Sequence, residues 1–272
     1  MLQVEDVSFH YPGGVNVLSG ISFSAGAGEV LALVGRNGAG KSTLLRLLNG
    51  LRKPTRGAIS IDGRNTAETP VHLISHSIGT VFQSPEQQVF NATVRDEVMF
   101  GPKNLPLTAQ ERDTRVAAVL ARTRLTDQAG QHPLDLDQAQ RRFVALASVL
   151  ATQPPALLLD EPQRGLDAQS RSLLEGIILE EKAAGRCIVI VCHDMEFVAR
   201  LATRVIALAD GALSADTTPA DFFSNSRLTS EASVEAPDIL RLSLALGLSP
   251  CLTPADFAGA WLNHHHLNAS QG

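Results

Sequence analysis

The stretch Gly35-Arg36-Asn37-Gly38-Ala39-Gly40-Lys41-Ser42-Thr43 fits the spacing G-x-x-x-x-G-K-[ST] and follows directly on the apolar run Val30–Val34. That pattern does phosphate chemistry. Glycines let the backbone curl until its N–H groups face phosphate oxygens, and the apolar helix that follows (Leu44, Leu45, Leu47, Leu48) turns its positive end to the same place. Lys41 can reach β- and γ-phosphates, and the Ser42 hydroxyl can ligate Mg²⁺. A second run, Leu157-Leu158-Leu159-Asp160-Glu161, ends in paired carboxylates. Asp160 at a strand end can join a Mg²⁺ shell, and Glu161 can polarise a water as general base. On its own such a pair is often a solvated turn; a phosphate loop in the same chain gives it a role. His193 closes the run 188–192 and Gln83 closes the run 78–82. Carboxyl ends of parallel strands gather at one sheet edge, so both side chains are candidates for the γ-phosphate neighbourhood.

The elements that must position these residues are visible as well. The runs 30–34, 156–159 and 188–191 have no polar interruption, as in strands buried on both faces, and each is followed by a helical stretch. A fourth run, 205–209, ends at the turn Asp210-Gly211. This is a parallel sheet with crossover helices, an α/β chain. The first 30 residues differ: Leu2 and Val4, then Ile21 and Phe23, alternate with polar neighbours, which predicts antiparallel strands, and 58–63 adds another strand and turn. From about Glu86 to Leu150 the pattern is helical. Thr218-Pro219-Ala220-Asp221 and Thr253-Pro254-Ala255-Asp256 each order a cap, a first-turn proline and an early acid, so helices start there. Between them, 225–236 is polar and predicts a loop. A boundary falls near residue 215.

Composition narrows the function. Apolar residues are 44% of 272, which excludes a chiefly disordered chain. With 23 basic against 28 acidic residues, the net charge of -5 counts against a nucleic-acid binder. Three cysteines is an odd count, and Cys187 and Cys192 flank an apolar run, so buried thiols in a reducing compartment are expected rather than disulfides. Neither a signal-peptide pattern nor a run of about 18 apolar residues is present. The expectation is a cytoplasmic protein that touches a membrane only through a partner.

In the order phosphate loop, Gln83, Leu159-Asp160-Glu161, Gly165-Leu166-Asp167, His193-Asp194, the chain resembles the ATP-binding cassette (ABC) ATPases over essentially its whole length. The resemblance implies a P-loop NTPase fold: a RecA-like parallel core with an antiparallel β subdomain and a helical subdomain at about 86–150. Together these would make residues 1–215, with a small helical dimerisation piece at 216–272. It implies ATP and Mg²⁺ as ligands, with Gly35 to Thr43 on the phosphates and Tyr11, the single tyrosine, stacked on adenine. Ser42, Gln83 and Asp160 would hold the metal. Glu161 would be the catalytic base, Gln83 the sensor of metal and water, and His193 the γ-phosphate contact. Asp167 would lie where two nucleotide subunits meet. A narrower resemblance, in Val81-Phe82-Gln83-Ser84-Pro85-Glu86-Gln87-Gln88-Val89-Phe90, Thr93-Val94 and Phe100-Gly101-Pro102-Lys103-Asn104-Leu105, is to energy-coupling-factor (ECF) transporter ATPases, including the cobalt/nickel CbiO type. It implies a second ABC ATPase subunit and an integral membrane coupling protein as partners, at the cytoplasmic face of the membrane. The transported solute would be a transition metal ion or a vitamin.

One segment departs from the family. Where it carries Leu-Ser-Gly-Gly-Gln, this chain has Leu136-Asp137-Gln138-Ala139-Gln140. In the family this segment of one subunit caps the γ-phosphate held by the other. Asp137 would set a carboxylate against that polyanion, and Gln138 and Ala139 add side chains where close backbone approach is needed. Alternatively, Asp137 is simply a good helix N-cap. Two readings follow: a hydrolysing importer subunit, or a weakly hydrolytic, regulatory ATP-binding subunit that pairs with an intact ABC ATPase. A third, a soluble ABC ATPase acting on nucleic acid, lacks the basic surfaces it would need. His264-His265-His266 reads as the exposed end of a helix, since consecutive side chains do not converge on one face. Arg122, Arg124, Arg141 and Arg142 read as solvated or interface charges.

Overall fold

In the strand Val30–Val34 (β3) every residue is buried, yet its side chains divide between two separate apolar clusters. Val30, Ala32 and Val34 belong to one; Leu31 and Leu33 belong to the other. A period of two puts alternate residues on opposite faces, so this strand is covered on both sides. The computed structural model describes residues 1–84 and 88–269, the last five by backbone alone. Pro85, Glu86 and Gln87, part of the ECF-like segment, and the side chains of His265 and His266 lie outside the described residues.

The larger sheet has the order β10-β9-β3-β8-β7-β6. Its members are β6 (Ile78–Val81), β7 (Ala156–Asp160), β8 (Cys187–Val191), β9 (Arg204–Ala209) and β10 (Ala212–Thr217), with β3 between β8 and β9. All neighbours are parallel except β9 and β10, which turn back through Asp210 and Gly211. A smaller antiparallel sheet, order β2-β1-β4-β5, consists of β1 (Leu2–His10), β2 (Asn16–Ala25), β4 (Arg56–Ile61) and β5 (Arg64–Asn65). Its inner residues Leu2, Val4, Ile21 and Ile59 pack in the second cluster with Leu44, Leu45, Leu47 and Leu48 of α1 (Lys41–Leu48). The two-faced sheet and the antiparallel layer are as the residue pattern predicts.

The other face carries the helices. After α2 (Val71–Ser77) and β6 come α3 (Val94–Lys103), α4 (Ala109–Arg122) and α5 (Gln138–Leu150), then α6 (Ala168–Ala183) and α7 (Met195–Leu201). Thr108 and Glu111 close a capping box on α4. Arg122, expected as a solvated or interface charge, is partly buried between two helices of this chain. It bridges α4 to α6 through Glu180 at 3.0 Å and the buried Glu181 at 2.7 Å, and Glu181 also takes Arg186 at 2.6 Å.

The C-terminal helices are α8 (Pro219–Ser224), α9 (Ser226–Ala232), α10 (Asp238–Ala245) and α11 (Pro254–Ala269). Thr218 caps α8 by accepting from the Asp221 amide, as predicted. The loop expected over 225–236 is instead interrupted by α9. Asn225 accepts from the amides of Arg227 and Leu228, and Thr229 and Ala232 are buried, so a short apolar edge and a cap suffice. Phe222, Phe223, Ala232 and Leu240 join the main core cluster. Cys187, Cys192 and Cys251 are free and buried, and burial pushes the first two thiols up to about 12. No helix among the described residues is long and apolar enough to cross a membrane.

Two glycines test this packing. A Cβ on Gly79 of β6 would run into Val149 of α5 and Pro154, whereas one on Gly176 of α6 would meet nothing. Gly79→Ala is expected to cost about 1–3 kcal/mol by overpacking. Gly176→Ala is expected to stabilise by about 0.5–1 kcal/mol through helix propensity. Thermal denaturation of the two variants should move Tm in opposite directions.

Candidate functional site

Between β3 and α1 the chain makes a tight loop. Gly35 has φ 141° and leaves no room for a Cβ against the Leu208 carbonyl. Gly40, the N-cap of α1, has φ 101° and no side chain to offer, and the first turn holds no acid. The leading N–H groups of α1 are therefore left without a side-chain acceptor, and they carry the helix's positive end. Lys41 turns back over this loop: its Nζ donates to the Gly35 carbonyl at 2.5 Å and the Arg36 carbonyl at 2.9 Å. Burial pulls the ammonium below its usual range, while Glu161 and Asp160 pull it back.

The cavity over this loop is lined by Asn37, Gly38, Gly40, Lys41, Ser42 and Thr43 on one side. Gln83, Asp160, Glu161 and His193 line the other. Parallel register makes this possible. Asp160 of β7 pairs with Val191 of β8, so Glu161 and His193 leave adjacent strand ends together. The Glu161 amide donates to the Val191 carbonyl at 2.9 Å, which holds Glu161 in a left-handed conformation with φ 47°. Such strain persists where the surroundings impose it. Gln83 Nε2 donates to Glu161 Oε2 at 3.3 Å, and His193 Nε2 lies 3.4 Å from Oε1. Burial, with Glu161 beside it, raises the Asp160 carboxyl above its usual range against the pull of Lys41 and Arg46. Burial and Lys41 lower His193, and Glu161 opposes them.

Asp160, the Ser42 hydroxyl and the Gln83 amide are thus available donors for a cation. A small donor set suits Mg²⁺, which keeps its other positions for water and phosphate. The bare α1 terminus and Lys41 suit a polyphosphate, and Glu161 is placed to hold a water near it.

Not every candidate lines the cavity. Arg36 turns away to pair with Asp210, and the Ala39 side chain is buried in the core. Tyr11 lies alongside, its hydroxyl 3.2 Å from Thr43 Oγ1, and that bond holds the phenol below its usual range. Asp167 caps α6, accepting from the Ser170 amide at 2.7 Å. Two arginines escaped the sequence reading of the site. Arg164 reaches to 3.8 Å of Glu161 Oε2, and Arg142 of α5 donates to the Gln83 carbonyl at 3.3 Å. Arg164 sits three residues past Glu161 and could have been suspected. Arg142 is placed by helix docking, which leaves no local signal.

Asp137 caps α5. Its carboxylate accepts from the Gln140 amide at 2.8 Å, and the Gln140 side chain accepts from the Asp137 amide at 3.3 Å, a reciprocal capping box. The Gln138 side chain lies against Gly165. The helix forms despite the lost glycines.

Comparison with known proteins places the chain in a family. The ABC transporter family pattern matches residues 18–164. The energy-coupling factor transporter ATP-binding protein EcfA of Methanothermobacter thermautotrophicus is 38% identical, over 87% of this chain and 77% of its own. Among solved structures, CbiO1 of Clostridium perfringens, part of the ABC transporter complex CbiONQ, superposes with a TM-score of 0.77. It is 32% identical, covering 90% of this chain and 95% of its own. A dimeric ATP-binding cassette in a post-hydrolysis state, bound to ADP and phosphate, gives a TM-score of 0.72 at 26% identity, over 80% of this chain and 99% of its own. By pattern, relatives and fold, the chain belongs to the ABC transporter ATP-binding proteins, as an ATPase subunit of the energy-coupling-factor type.

Proposed function

We propose that the cavity between α1 and the ends of β6, β7 and β8 binds ATP with Mg²⁺ and hydrolyses it, energising a membrane partner. The observation that supports this most is the meeting of Lys41, Asp160, Glu161, Gln83 and His193 around one uncapped helix N-terminus. The 35–43 loop and Lys41 take the phosphates, and Tyr11 takes the adenine. Ser42, Gln83 and Asp160 would hold Mg²⁺, which when bound would neutralise phosphate charge. Glu161 orients water for in-line attack, and Gln83 and His193 keep its carboxylate in place while His193 faces the γ-phosphate.

Residues 1–215 act as the ATP-binding unit and 216–272 as the dimerisation appendage. The partners are a second ABC ATPase subunit, to which Asp167 is turned, and an integral coupling protein that holds the chain at the cytoplasmic face of the membrane. The exposed Phe90 and Phe100, edge to face at 4.8 Å just past the Gln83 segment, suit an apolar helix of that protein. The resemblance of the 81–105 segment to the cobalt/nickel type supports a transition metal ion as the solute, with a vitamin as the alternative.

Replacing Glu161 by Gln should leave ATP binding intact and lower turnover by at least about a hundredfold, the scale of general-base catalysis. Undiminished turnover in a steady-state phosphate-release assay would remove Glu161 from this role.

A second reading is favoured by the Asp137 capping box. A carboxylate already occupies the α5 terminus that faces outward beside Gly165 and Asp167, so this chain serves a facing subunit's phosphate poorly. A homodimer then binds ATP and turns it over slowly, and full activity needs a partner with an intact signature. The combined variant Asp137→Ser, Gln138→Gly, Ala139→Gly should raise turnover of the purified chain. The added glycines cost about 1 kcal/mol each in helix propensity, so circular dichroism must first show it folded. A folded variant with an unchanged rate would count against the segment as the limit on hydrolysis.

A further inference from the structure

Tyr11 is held on three sides. Its ring stands perpendicular to that of Phe9, with centroids 5.0 Å apart and an interplanar angle of 87°. Its hydroxyl shares a hydrogen bond with Thr43 Oγ1, a group that also lines the phosphate cavity. The guanidinium of Arg52 lies over the ring, 5.4 Å from its centroid. Arg52 stands in the segment just past α1, and this segment is anchored. The Arg52 amide donates to the Arg46 carbonyl at 2.9 Å, and the Leu51 amide donates to Asn49 Oδ1 at 3.1 Å. The arginine therefore leaves the chain from a fixed point in the turn that follows the helix presenting the phosphate loop.

We propose that Arg52 is a positioning residue for the nucleobase: it covers one face of the Tyr11 ring and fixes that ring as a platform whose other face takes the purine. The inference rests on the reading of Tyr11 as the base platform. Its physics has two parts. A cation over an aromatic face is attracted by the ring's quadrupole, and the attraction draws electron density away from the opposite face. A purine then stacks against a less electron-rich surface. Holding the ring in place before binding also removes an ordering cost that would otherwise be met when the nucleotide arrives. Phe9 packs perpendicular to the ring, Thr43 holds its hydroxyl, and Arg52 lies over one face.

Binding of ADP and of inorganic pyrophosphate, each with Mg²⁺, separates base from phosphate without turnover. Isothermal titration of Arg52→Ala should show ADP weakened about two- to fivefold, the scale of an exposed cation–π contact. Pyrophosphate should be unchanged, and Arg52→Lys should fall between wild type and Arg52→Ala. Tyr11→Ala should weaken ADP by about fivefold or more, the scale of a lost base stack. In that background Arg52→Ala should have no further effect. Equal weakening of ADP and pyrophosphate would make Arg52 a general charge near the phosphates and overturn the proposal. Tighter ADP binding in Arg52→Ala would overturn it too, since Arg52 would then be competing with the base for the ring. If Tyr11→Ala shifts the ADP-to-pyrophosphate ratio and Arg52→Ala does not, the Arg52 inference alone falls. If Tyr11→Ala leaves the ratio unmoved, the reading of Tyr11 as the platform falls and takes this inference with it.

Discussion

The unpaired N–H groups at the start of α1 are the constraint on which the rest depends. A helix terminus normally finds a side-chain acceptor, and each amide left without one is a cost when it is buried. Here Gly40 offers none, and the first turn has no acid. That terminus is useful only if a polyanion arrives, and several other features follow from it. Gly35 has to be a glycine so that the loop can pass the Leu208 carbonyl. Lys41 has to wait within the loop, where the Gly35 and Arg36 carbonyls accept its hydrogen bonds until phosphate oxygens do so. The acids Asp160 and Glu161 come close enough to oppose the burial that pulls that ammonium below its usual range.

Bringing those acids close is the work of the sheet. Parallel pairing of β3 with β8, and β8 with β7, brings three strand ends to one edge, so the residues just past Val34, Leu159 and Val191 are neighbours by register rather than by sequence. Both faces of these strands are apolar because both are covered, by α1 and the antiparallel layer on one side and by the helices on the other. A one-residue slip of β7 against β8 would exchange the faces and turn Asp160 away from the cavity. The core therefore acts on the chemistry through register. The Arg122–Glu181–Arg186 cluster adds a tie across two helices, with Glu181 buried between its two cations. That tie fastens α4 to α6 within the helical layer.

What the sequence made legible follows the same division. The phosphate loop and Asp160-Glu161 could be read because their chemistry demands particular residue types at fixed spacing. The strands could be read because burial on both faces leaves uninterrupted apolar runs. Helix α9 could not, because a seven-residue helix needs only Asn225 as a cap and two buried contacts, Thr229 and Ala232, and its composition otherwise looks like a loop. Nor could the Arg122 bridge, since charge pairing between helices far apart in the chain has no local pattern. Arg52 was invisible for the same reason: an arginine in a turn says nothing until the ring above which it stands is known.

Helices α1 and α5 show how one physical feature can be put to opposite uses. Both present an N-terminus with a positive end to a cavity, and both lie where an anion would find them. At α1 the cap is a glycine, and the N–H groups remain open. At α5 the cap is Asp137, whose carboxylate already takes the Gln140 amide while the Gln140 side chain takes the Asp137 amide. The second terminus is thus internally satisfied, and its nearest charge is negative. For a polyphosphate to approach it, either the carboxylate must swing away, giving up the capping box, or two like charges must sit close together with little water between them. Both cost free energy, the first about as much as a lost cap and the second more as the site closes. On the second reading proposed above, the same box that makes α5 a well-formed helix would make it a poor lid for phosphate. Stability of the helical layer and reception of a facing nucleotide would then compete at Asp137.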